Sequence, residues 1–287
     1  DAREYRYLIN EMHKFLPGNA TIKSAFDMAL YDLNARMAQV PLYQFFGGRK
    51  RLMETDVTMG ISDFSETERK LKKFLKMGFK KIKTKVGLDF QQDFEKISMI
   101  RKIGGPEMTI RIDANQGWDR AFALQSLHKL HPLNIEYCEQ PVKRRDLTGM
   151  KYLNDHSPIP IMADESLFSP EDALDIIHLQ AASMMNIKIS KSGGFLRAQQ
   201  IADIAQSAHI PCMVGCMSES GLGNTAFSHF ASAHEIVRFY DLDANVGHLN
   251  EPLIGGVKFI DGVVHLPEEP GIGCVPDPEY IKNLKSL

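Results

Sequence analysis

Charged side chains recur along this chain at a nearly regular spacing, and each follows a short apolar run. In chain order they are Lys85, Asp113, Glu139, Asp164, Lys188, Glu219 and Asp241. Successive members are 22 to 31 residues apart, close to the roughly 30 residues of one βα unit in an eight-unit barrel. Active sites of such barrels form at the C-terminal ends of the strands. The spacing therefore predicts one site assembled from the ends of many strands.

Three of these residues are carboxylates that end consecutive predicted strands: Asp113, Glu139 and Asp164. Neighbouring strands lie about 4.8 Å apart, so three acids at one height converge and repel one another unless a cation lies between them. A set of oxygen ligands without Cys or His favours Mg²⁺. The alternative is that each acid caps the helix that follows it. Their shared position on three strands favours the metal site.

Two lysines, Lys85 and Lys188, end the second and sixth predicted strands, on either side of the carboxylates. A partly desolvated lysine near other cations can lose its proton near neutral pH and act as a base. Two bases on opposite faces of one carbon can remove a proton from one side and return it from the other, which inverts a stereocentre. The alternative is a pair of solvated lysines without a catalytic role.

Apolar runs alternate with helical patterns, which predicts βαβ units and a parallel sheet. The predicted strands are 55–61, 79–86, 108–114, 135–140, 159–164, 184–190, 212–218 and 238–243. Side chains alternate between the two faces of a strand, so Lys83 and Lys85 share one face. A (β/α)8 barrel explains this division, since one face packs on helices and the other points into the barrel. Half-solvated antiparallel strands are the alternative, but they do not need helical crossovers.

Composition narrows the possible partners and the location. The net charge of −2 gives no reason to expect nucleic acid or an anionic membrane, and the Lys-rich stretch 69–85 is typical of a solvated helix face followed by a strand. The four cysteines form no CxxC pair, so buried reduced thiols and a cytoplasmic location are expected. No run approaches the roughly 20 apolar residues of a membrane span.

Six short motifs lie at the predicted strand ends. They are KTKVG at 83–87, RIDANQGW at 111–118, EYCEQPV at 136–142, MADES at 162–166, NIKISKSGG at 186–194 and GCMSES at 215–220. In this order they resemble the barrel-strand motifs of the enolase superfamily, muconate-lactonising subgroup. The superfamily uses Lys or His bases with Mg²⁺, which stabilises an ene-diolate. The resemblance extends from about residue 19 to the C-terminus.

The resemblance implies a role for each matching residue. One Mg²⁺ per subunit would be held by Asp113, Glu139 and Asp164, and Lys85 and Lys188 would be the acid/base pair. Further residues would stabilise the enolate (Lys83) or support the site (Asn115, Glu165 and Glu219). A small-molecule substrate and a homo-oligomer are also expected.

Asp241 and Asp243 narrow the expected substrate. Two acids on one strand face form a cation site, and the free amino group of a dipeptide is a suitable cation. Dipeptide epimerases of the L-Ala-D/L-Glu type resemble the chain in this DxD pattern. The alternatives are an N-acylamino acid racemase, a cycloisomerase or o-succinylbenzoate synthase on the same scaffold, and a non-catalytic barrel that binds a metal or a carboxylate. The two acids could also be solvated or cap a helix.

Family members begin with an α+β capping domain that closes over the barrel. Its helical part is expected at residues 1–52, with one helix from 19 to 46, and its N-terminal strands are absent from this sequence. The barrel is expected at 53–247, and a tail that returns to the capping domain at 248–287. The residues that read the substrate side chain therefore cannot be identified from the sequence.

Overall fold

Eight short parallel strands, arranged in sequence order, form the centre of the protein. The structure is a computed structural model that describes residues 1–248 and 250–284. Its strands are β1 (Met53–Glu54), β2 (Val57–Met59), β3 (Lys81–Lys85), β4 (Thr109–Asp113), β5 (Ile135–Glu139), β6 (Ile161–Ala163), β7 (Met184–Ile187), β8 (Cys212–Gly215), β9 (Val237–Asp241), β10 (Leu253–Gly255), β11 (Lys258–Ile260), β12 (Val263–His265) and β13 (Cys274–Pro276). Its α-helices are α1 (Tyr5–Phe15), α2 (Ala20–Met37), α3 (Leu42–Phe45), α4 (Phe64–Lys76), α5 (Phe90–Gly104), α6 (Arg120–Leu130), α7 (Leu147–His156), α8 (Pro170–Leu179), α9 (Ile189–Ser192), α10 (Phe195–Ser207), α11 (Gly221–Ala233) and α12 (Pro278–Lys282).

The central sheet runs in the order β2 to β9, and every adjacent pair is parallel. At least one helix lies between consecutive strands, because a parallel pair needs a crossover connection. β9 returns to β2, where the Asp56 N–H donates to the Tyr240 carbonyl at 3.2 Å and the Leu242 N–H donates to the Thr55 hydroxyl at 2.9 Å. The sheet is therefore a nearly closed (β/α)8 barrel, which confirms the predicted fold class.

All eight predicted strands are present, and most are shorter than predicted. The difference that concerns the predicted site is in the sixth predicted strand, which ends at Ile187 rather than at residue 190. The Ser192 N–H donates to the Lys188 carbonyl at 3.0 Å, so the chain turns into α9 at this point. Lys188 thus lies just beyond the end of β7 instead of within it.

The prediction of one helix from 19 to 46 is wrong. Two helices occupy this range, because α2 ends at Met37 and α3 begins at Leu42. Gln39 between them has a left-handed φ of 58°, and Pro41 has no N–H with which to continue a helix. The chain therefore bends after α2.

The C-terminal residues return to these N-terminal helices. The Leu42 N–H donates to the Gly271 carbonyl at 2.8 Å, and the Gly271 N–H donates to the Val40 carbonyl at 3.0 Å. The Ile272 N–H donates to the Asp32 carboxylate at 2.6 Å. Residues distant in sequence thus form one packed unit beside the barrel.

The helices and the cysteines agree with what the composition predicts. Within the described residues, no helix has both the length and the apolar character that crossing a membrane requires. All four cysteines are free and buried, which confirms the predicted buried thiols.

Side chains that point into the barrel form an apolar layer with a polar layer above it. Tyr137, Met162, Met184 and Met213 form a cluster of their own, with Phe239 packed against it. Side chains two residues apart share a strand face. Two positions further along these strands lie Glu139, Asp164, Asn186, Gly215 and Asp241. Acidic residues are therefore concentrated at the C-terminal end of the barrel.

Arg111 brings a charge into the apolar layer. Its side chain is 1% exposed, and the guanidinium carbon lies 5.2 Å from the centre of the Tyr137 ring and 5.5 Å from that of Phe239. Its Nη1 donates to Asp56 at 2.7 Å, and its Nε donates to Glu136 at 2.6 Å. Asp56 is fully buried, and burial and the charge of Asp241 raise its pKa well above the ordinary value, a rise that the Arg111 guanidinium opposes.

Replacement of Arg111 by Met is expected to lower the free energy of unfolding by about 3–5 kcal/mol, because it leaves the buried Asp56 carboxylate without its partner. Urea unfolding followed by circular dichroism measures the loss. The double variant Arg111→Met/Asp56→Asn should regain part of the lost free energy of unfolding. The exposed ion pair of Arg69 with Glu66 provides a control, since Arg69→Met should cost less. Equal losses in Arg111→Met and Arg69→Met would contradict the assigned role of the buried pair.

Candidate active site

A cavity of about 600 Å³ lies at the mouth of the barrel, where the strands end. Of the residues predicted from sequence, those that line it are Lys83, Lys85, Asn115, Asp164, Glu165, Lys188, Asp241 and Asp243. Asp113, Glu139 and Glu219 lie behind this lining and contact lining residues. The structure therefore brings every predicted site residue to one end of the barrel.

The three predicted ligand carboxylates end the adjacent strands β4 and β5 or directly follow β6. Asp113 and Glu139 are register partners, whereas Glu139 pairs with Met162, so Asp164 lies two residues further along. All three carboxylates are at most 2% exposed. The helices that follow have other N-caps, namely Asp119, Asp146 and Ser169. Helix capping therefore does not account for these acids.

Lys83 lies at the centre of the acidic groups. Its Nζ is 2.6 Å from Glu139 Oε2, 2.9 Å from Asp241 Oδ2 and 3.3 Å from Asp113 Oδ2. The contact with Glu139 is an ion pair without hydrogen-bond geometry. Burial alone would lower the pKa of Lys83, but the three carboxylates raise it well above its ordinary value. Lys83 is therefore a fixed cation inside the barrel.

Asp164 is shared by two lysines. Lys188 Nζ donates to Asp164 Oδ2 at 2.7 Å, and Lys191 Nζ donates to Oδ1 at 2.5 Å. Burial alone would raise the pKa of Asp164, but Lys191 and Lys188 together hold it well below its usual range. Lys191 was not predicted as a site residue. The sequence feature that could have indicated Lys191 is its three-residue spacing from Lys188. In a helical turn, side chains three residues apart lie on the same face.

Lys85 and Lys188 occupy opposite sides of the barrel mouth. Lys85 ends β3 and Lys188 follows β7, and these strands are four places apart in an eight-stranded barrel. Lys85 Nζ donates to Asp113 Oδ2 at 2.6 Å, so each lysine contacts a carboxylate on its own side. The side chains are 27% and 10% exposed. Neither is a freely solvated lysine.

The local charges determine the protonation of Lys188. Burial alone would lower its pKa, but Asp164 and Glu139 attract its ammonium form and raise the pKa above the ordinary value. Lys188 is thus an ammonium group while these carboxylates keep their full negative charge. A divalent cation bound to the same carboxylates would oppose this effect and favour loss of the proton.

Asp241 and Asp243 form a pair at the end of β9. Thr58 contacts both, as its hydroxyl donates to Asp241 at 3.3 Å and its N–H donates to Asp243 at 2.5 Å. Burial would raise the pKa of Asp241, but Lys83 lowers it to about 2. Burial and the charge of Asp241 raise the pKa of Asp243 to about 6. The pair therefore carries close to two negative charges only above pH 6, and it caps no helix.

The supporting residues contact one another across neighbouring loops. Asn115 Nδ2 donates to Glu165 Oε1 at 3.1 Å, and the Ser190 hydroxyl donates to Glu219 Oε1 at 2.9 Å. Each contact joins two segments that follow different barrel strands. They therefore hold the loops around the cavity in fixed relation.

Gln140 was missed as a positioning residue. Its side-chain oxygen accepts from the N–H groups of Asp164 and Ser166, both at 3.0 Å. The amide is fully buried and follows Glu139 directly. Gln140 thus fixes the backbone at Asp164 from the neighbouring strand, a contact that no local sequence pattern indicates.

The donor chemistry of the three carboxylates fits Mg²⁺, which prefers hard oxygen ligands. Octahedral ligands at about 2.1 Å from the ion lie about 3–4 Å apart. In the part of the chain that the structure describes, only one trio of His, Cys, Asp or Glu has ligand atoms all within 4.8 Å, and it consists of Cys216, Asp241 and Asp243. Asp113, Glu139 and Asp164 are therefore spread more widely, with lysine ammonium groups beside them. Ion binding would require these side chains to move closer together.

A (β/α)8 barrel with acids and lysines at its mouth is the arrangement that the enolase-type class has. Two family models match the chain. One is described as "Enolase C-terminal domain-like" and matches residues 66–280, and the other as "Mandelate racemase / muconate lactonizing enzyme, N-terminal domain" and matches residues 1–47. The chain therefore belongs to the mandelate racemase and muconate lactonizing enzyme family of the enolase superfamily, as its motifs predicted.

Similar proteins cover nearly the whole chain. The D-Ala-D/L-Ala epimerase of Cytophaga hutchinsonii is 40% identical over 278 residues, which are 96% of this chain and 76% of the relative. The L-Ala-D/L-Glu epimerase of Bacillus subtilis is 37% identical over 274 residues, which are 94% and 75% of the two chains. The crystal structure of the dipeptide epimerase from C. hutchinsonii with Mg and the dipeptide D-Ala-L-Val has a TM-score of 0.96 and 38% identity, and the match covers 99% of this chain and 78% of that one.

Mg²⁺ is expected to raise the melting temperature of the wild-type protein, because an ion that binds only the folded state stabilises it. At a concentration 100 times the Kd this stabilisation is about 2.7 kcal/mol. Glu139→Gln should remove most of the shift, since it replaces a charged ligand with a neutral one. Thermal unfolding at increasing Mg²⁺ measures both. Glu95→Gln, on the exposed surface of α5, should keep the full shift. A full shift in Glu139→Gln would rule out Glu139 as a ligand.

Proposed function

We propose that this protein is a Mg²⁺-dependent isomerase that epimerises the Cα of one residue in a dipeptide. The observation that carries the proposal is the position of Lys85 and Lys188 on opposite sides of a cavity with buried carboxylates between them. The names of both relatives, and the Mg and dipeptide in the C. hutchinsonii structure, support the same reaction.

In the proposed reaction each lysine is the base for one epimer and the acid for the other. For one epimer, neutral Lys85 removes the Cα proton, and the ammonium of Lys188 returns a proton to the opposite face. For the other epimer the two roles are exchanged. The fixed positive charge of Lys83, which is buried among carboxylates, stabilises the negative charge that develops on the substrate.

Asp113, Glu139 and Asp164 are the proposed Mg²⁺ ligands. The chemistry that bound Mg²⁺ supplies is stabilisation of charge on the substrate carboxylate, which makes the ene-diolate accessible. Gln140 and Lys191 position Asp164. Asn115, Glu165 and Glu219 are proposed to support the loops around the substrate.

Asp241 and Asp243 favour a dipeptide over the other substrates of this scaffold. They line the cavity and are proposed to bind the α-ammonium group, as two close carboxylates attract a cation. An N-acylated amino acid has no charge at this point, and the substrates of muconate cycloisomerase or o-succinylbenzoate synthase are anions that the pair would repel. A non-catalytic barrel would need no lysine on each side of the substrate carbon.

Three further expectations stay proposals. Residues 1–52 and 248–287 are proposed to form the capping unit, of which residues 249 and 285–287 lie outside the described part of the chain. The backbone hydrogen bonds of Gly271 with Val40 and Leu42 support this proposal. The cytoplasm is the proposed location, supported by the four free cysteines. Assembly into a homo-oligomer is proposed from the family resemblance.

The substitutions Lys85→Ala and Lys188→Ala are each expected to reduce epimerisation by about a hundred- to ten-thousandfold, the usual contribution of one positioned acid or base. In D2O each variant should still exchange the α-proton of one epimer, because one base remains. The two variants should retain exchange of opposite epimers. Mass spectrometry of dipeptide epimers incubated separately measures this. Lys81→Ala removes a lysine from the other end of β3 and should leave both exchanges intact. Normal epimerisation in either Lys85→Ala or Lys188→Ala would refute the two-base reaction.

The KM for a dipeptide is expected to rise about tenfold for each pH unit below about 6. Asp243, whose pKa is raised to about 6, becomes protonated there and no longer attracts the α-ammonium group. Steady-state kinetics between about pH 5 and 8 measures this dependence. In Asp243→Asn the KM should be high and nearly constant over this range. The same rise for an N-acylated amino acid, which has no ammonium group, would contradict the assigned role of Asp243.

A further inference from the structure

The turn that carries Lys188 is packed against the helices that precede the barrel. Every residue from 188 to 195 is buried. This turn consists of α9 and two glycines that lead into α10. The Gly194 N–H donates to the Ile189 carbonyl at 3.0 Å, and the Ser192 N–H donates to the Lys188 carbonyl at 3.0 Å. A displacement at the start of α10 would therefore reach Lys188 through a short, hydrogen-bonded path.

Asp27 of α2 holds the start of α10. Its carboxylate is fully buried and accepts from the N–H groups of Phe195 at 2.6 Å and Leu196 at 3.2 Å. The N-cap of α10 is Gly194, which has no side chain with which to cap the helix. Asp27 thus supplies the missing cap from a helix 168 residues away in sequence.

The contact requires a glycine at position 194. A Cβ on Gly194 would lie 2.3 Å from Asp27 Cγ, and the residue has a φ of +122°. Any larger side chain would displace the carboxylate from the start of α10. His13 of α1 adds a second contact, since its Nε2 lies 3.2 Å from the Gly193 carbonyl oxygen. Two glycines in succession therefore meet two side chains from the N-terminal helices.

We propose that Asp27 is a positioning residue for Lys188: by fixing the start of α10, it sets where the turn presents the lysine at the barrel mouth. This inference rests on the proposed two-lysine reaction. Lys85 is fixed differently, since it belongs to β3 and is paired in register with Asp113 of β4. Loss of the Asp27 contact therefore lowers proton transfer at the Lys188 face of the substrate more than at the Lys85 face.

Isotope exchange separates positioning from general stability. A structural defect reduces the amount of active protein and lowers the exchange of both epimers by the same factor. A defect in the position of Lys188 lowers exchange only for the epimer whose proton Lys188 removes. That epimer is identified as the one whose exchange is lost in Lys188→Ala. The ratio of the two exchange rates does not depend on the fraction of folded protein.

The test compares wild type, Asp27→Ala and Asp27→Asn in D2O with saturating Mg²⁺. The assay is run at about pH 8.5, since burial raises the pKa of Asp27 to about 7. For Asp27→Ala, exchange of the epimer whose proton Lys188 removes should fall about ten- to a hundredfold, as expected for a displacement of about 1 Å. Exchange of the epimer whose proton Lys85 removes should change less than about threefold. Asp27→Asn keeps one acceptor oxygen and should show a smaller change of the ratio. If Asp27→Ala does not fold, Asp27→Asn still tests the inference through the same ratio of exchange rates.

Asp32→Asn is the matched control. Asp32 is on the same helix, but its carboxylate accepts from Ile272 in the C-terminal residues, so the ratio of exchange rates should stay that of wild type. Equal losses for both epimers in the Asp27 variants, or no change, would overturn the inference and leave the proposed function intact. Absence of exchange for both epimers in wild type would overturn the proposed function and the inference with it.

Discussion

Buried negative charge is the constraint on which the barrel mouth depends. Asp113, Glu139, Asp164 and Asp241 are each at most 3% exposed, and an unpaired carboxylate at such depth costs several kcal/mol. Ammonium groups from β3 and from the turn after β7 balance this charge. The charged form of each set depends on the other, and burial raises the pKa of the Glu139 carboxyl to about 8 even with Lys83 beside it. A divalent cation at the carboxylates would therefore compete with the lysines for the same oxygens, so that ion binding and lysine protonation are linked.

Sheet register decides which side chains share this charge. Lys85 pairs with Asp113, and Asp113 pairs with Glu139, across three adjacent strands. A shift of one residue in any strand would turn its charged side chain toward the surrounding helices. The apolar layer of the barrel interior lies two residues before these strand ends on β5 to β9, whereas Lys83 and Arg111 occupy the same positions on β3 and β4. The packing that fixes the register therefore also fixes the site.

This dependence on register explains how much could be predicted from the sequence. Alternation along a strand is a local pattern, so the shared face of Lys83 and Lys85 and the acids at the strand ends could be found without a structure. The end of β7 could not, because it is set by a turn whose hydrogen bonds compete with the strand. Lys191 was missed for this reason. The contact between Asp27 and Phe195 spans 168 residues, and no local pattern indicates such a pair.

The two lysines that are the proposed bases are thus positioned by different contacts. Lys85 is fixed by hydrogen bonds within the sheet, whereas Lys188 lies past the end of its strand and depends on side chains of α1 and α2. Each direction of a two-base epimerisation uses both lysines, one to remove the proton and one to return it. The overall rate therefore follows the less well positioned lysine. In the proposed reaction, packing between the N-terminal helices and the turn at residues 188–195 would limit the rate as directly as the register of β3, although these helices contribute neither the proposed bases nor the proposed metal ligands.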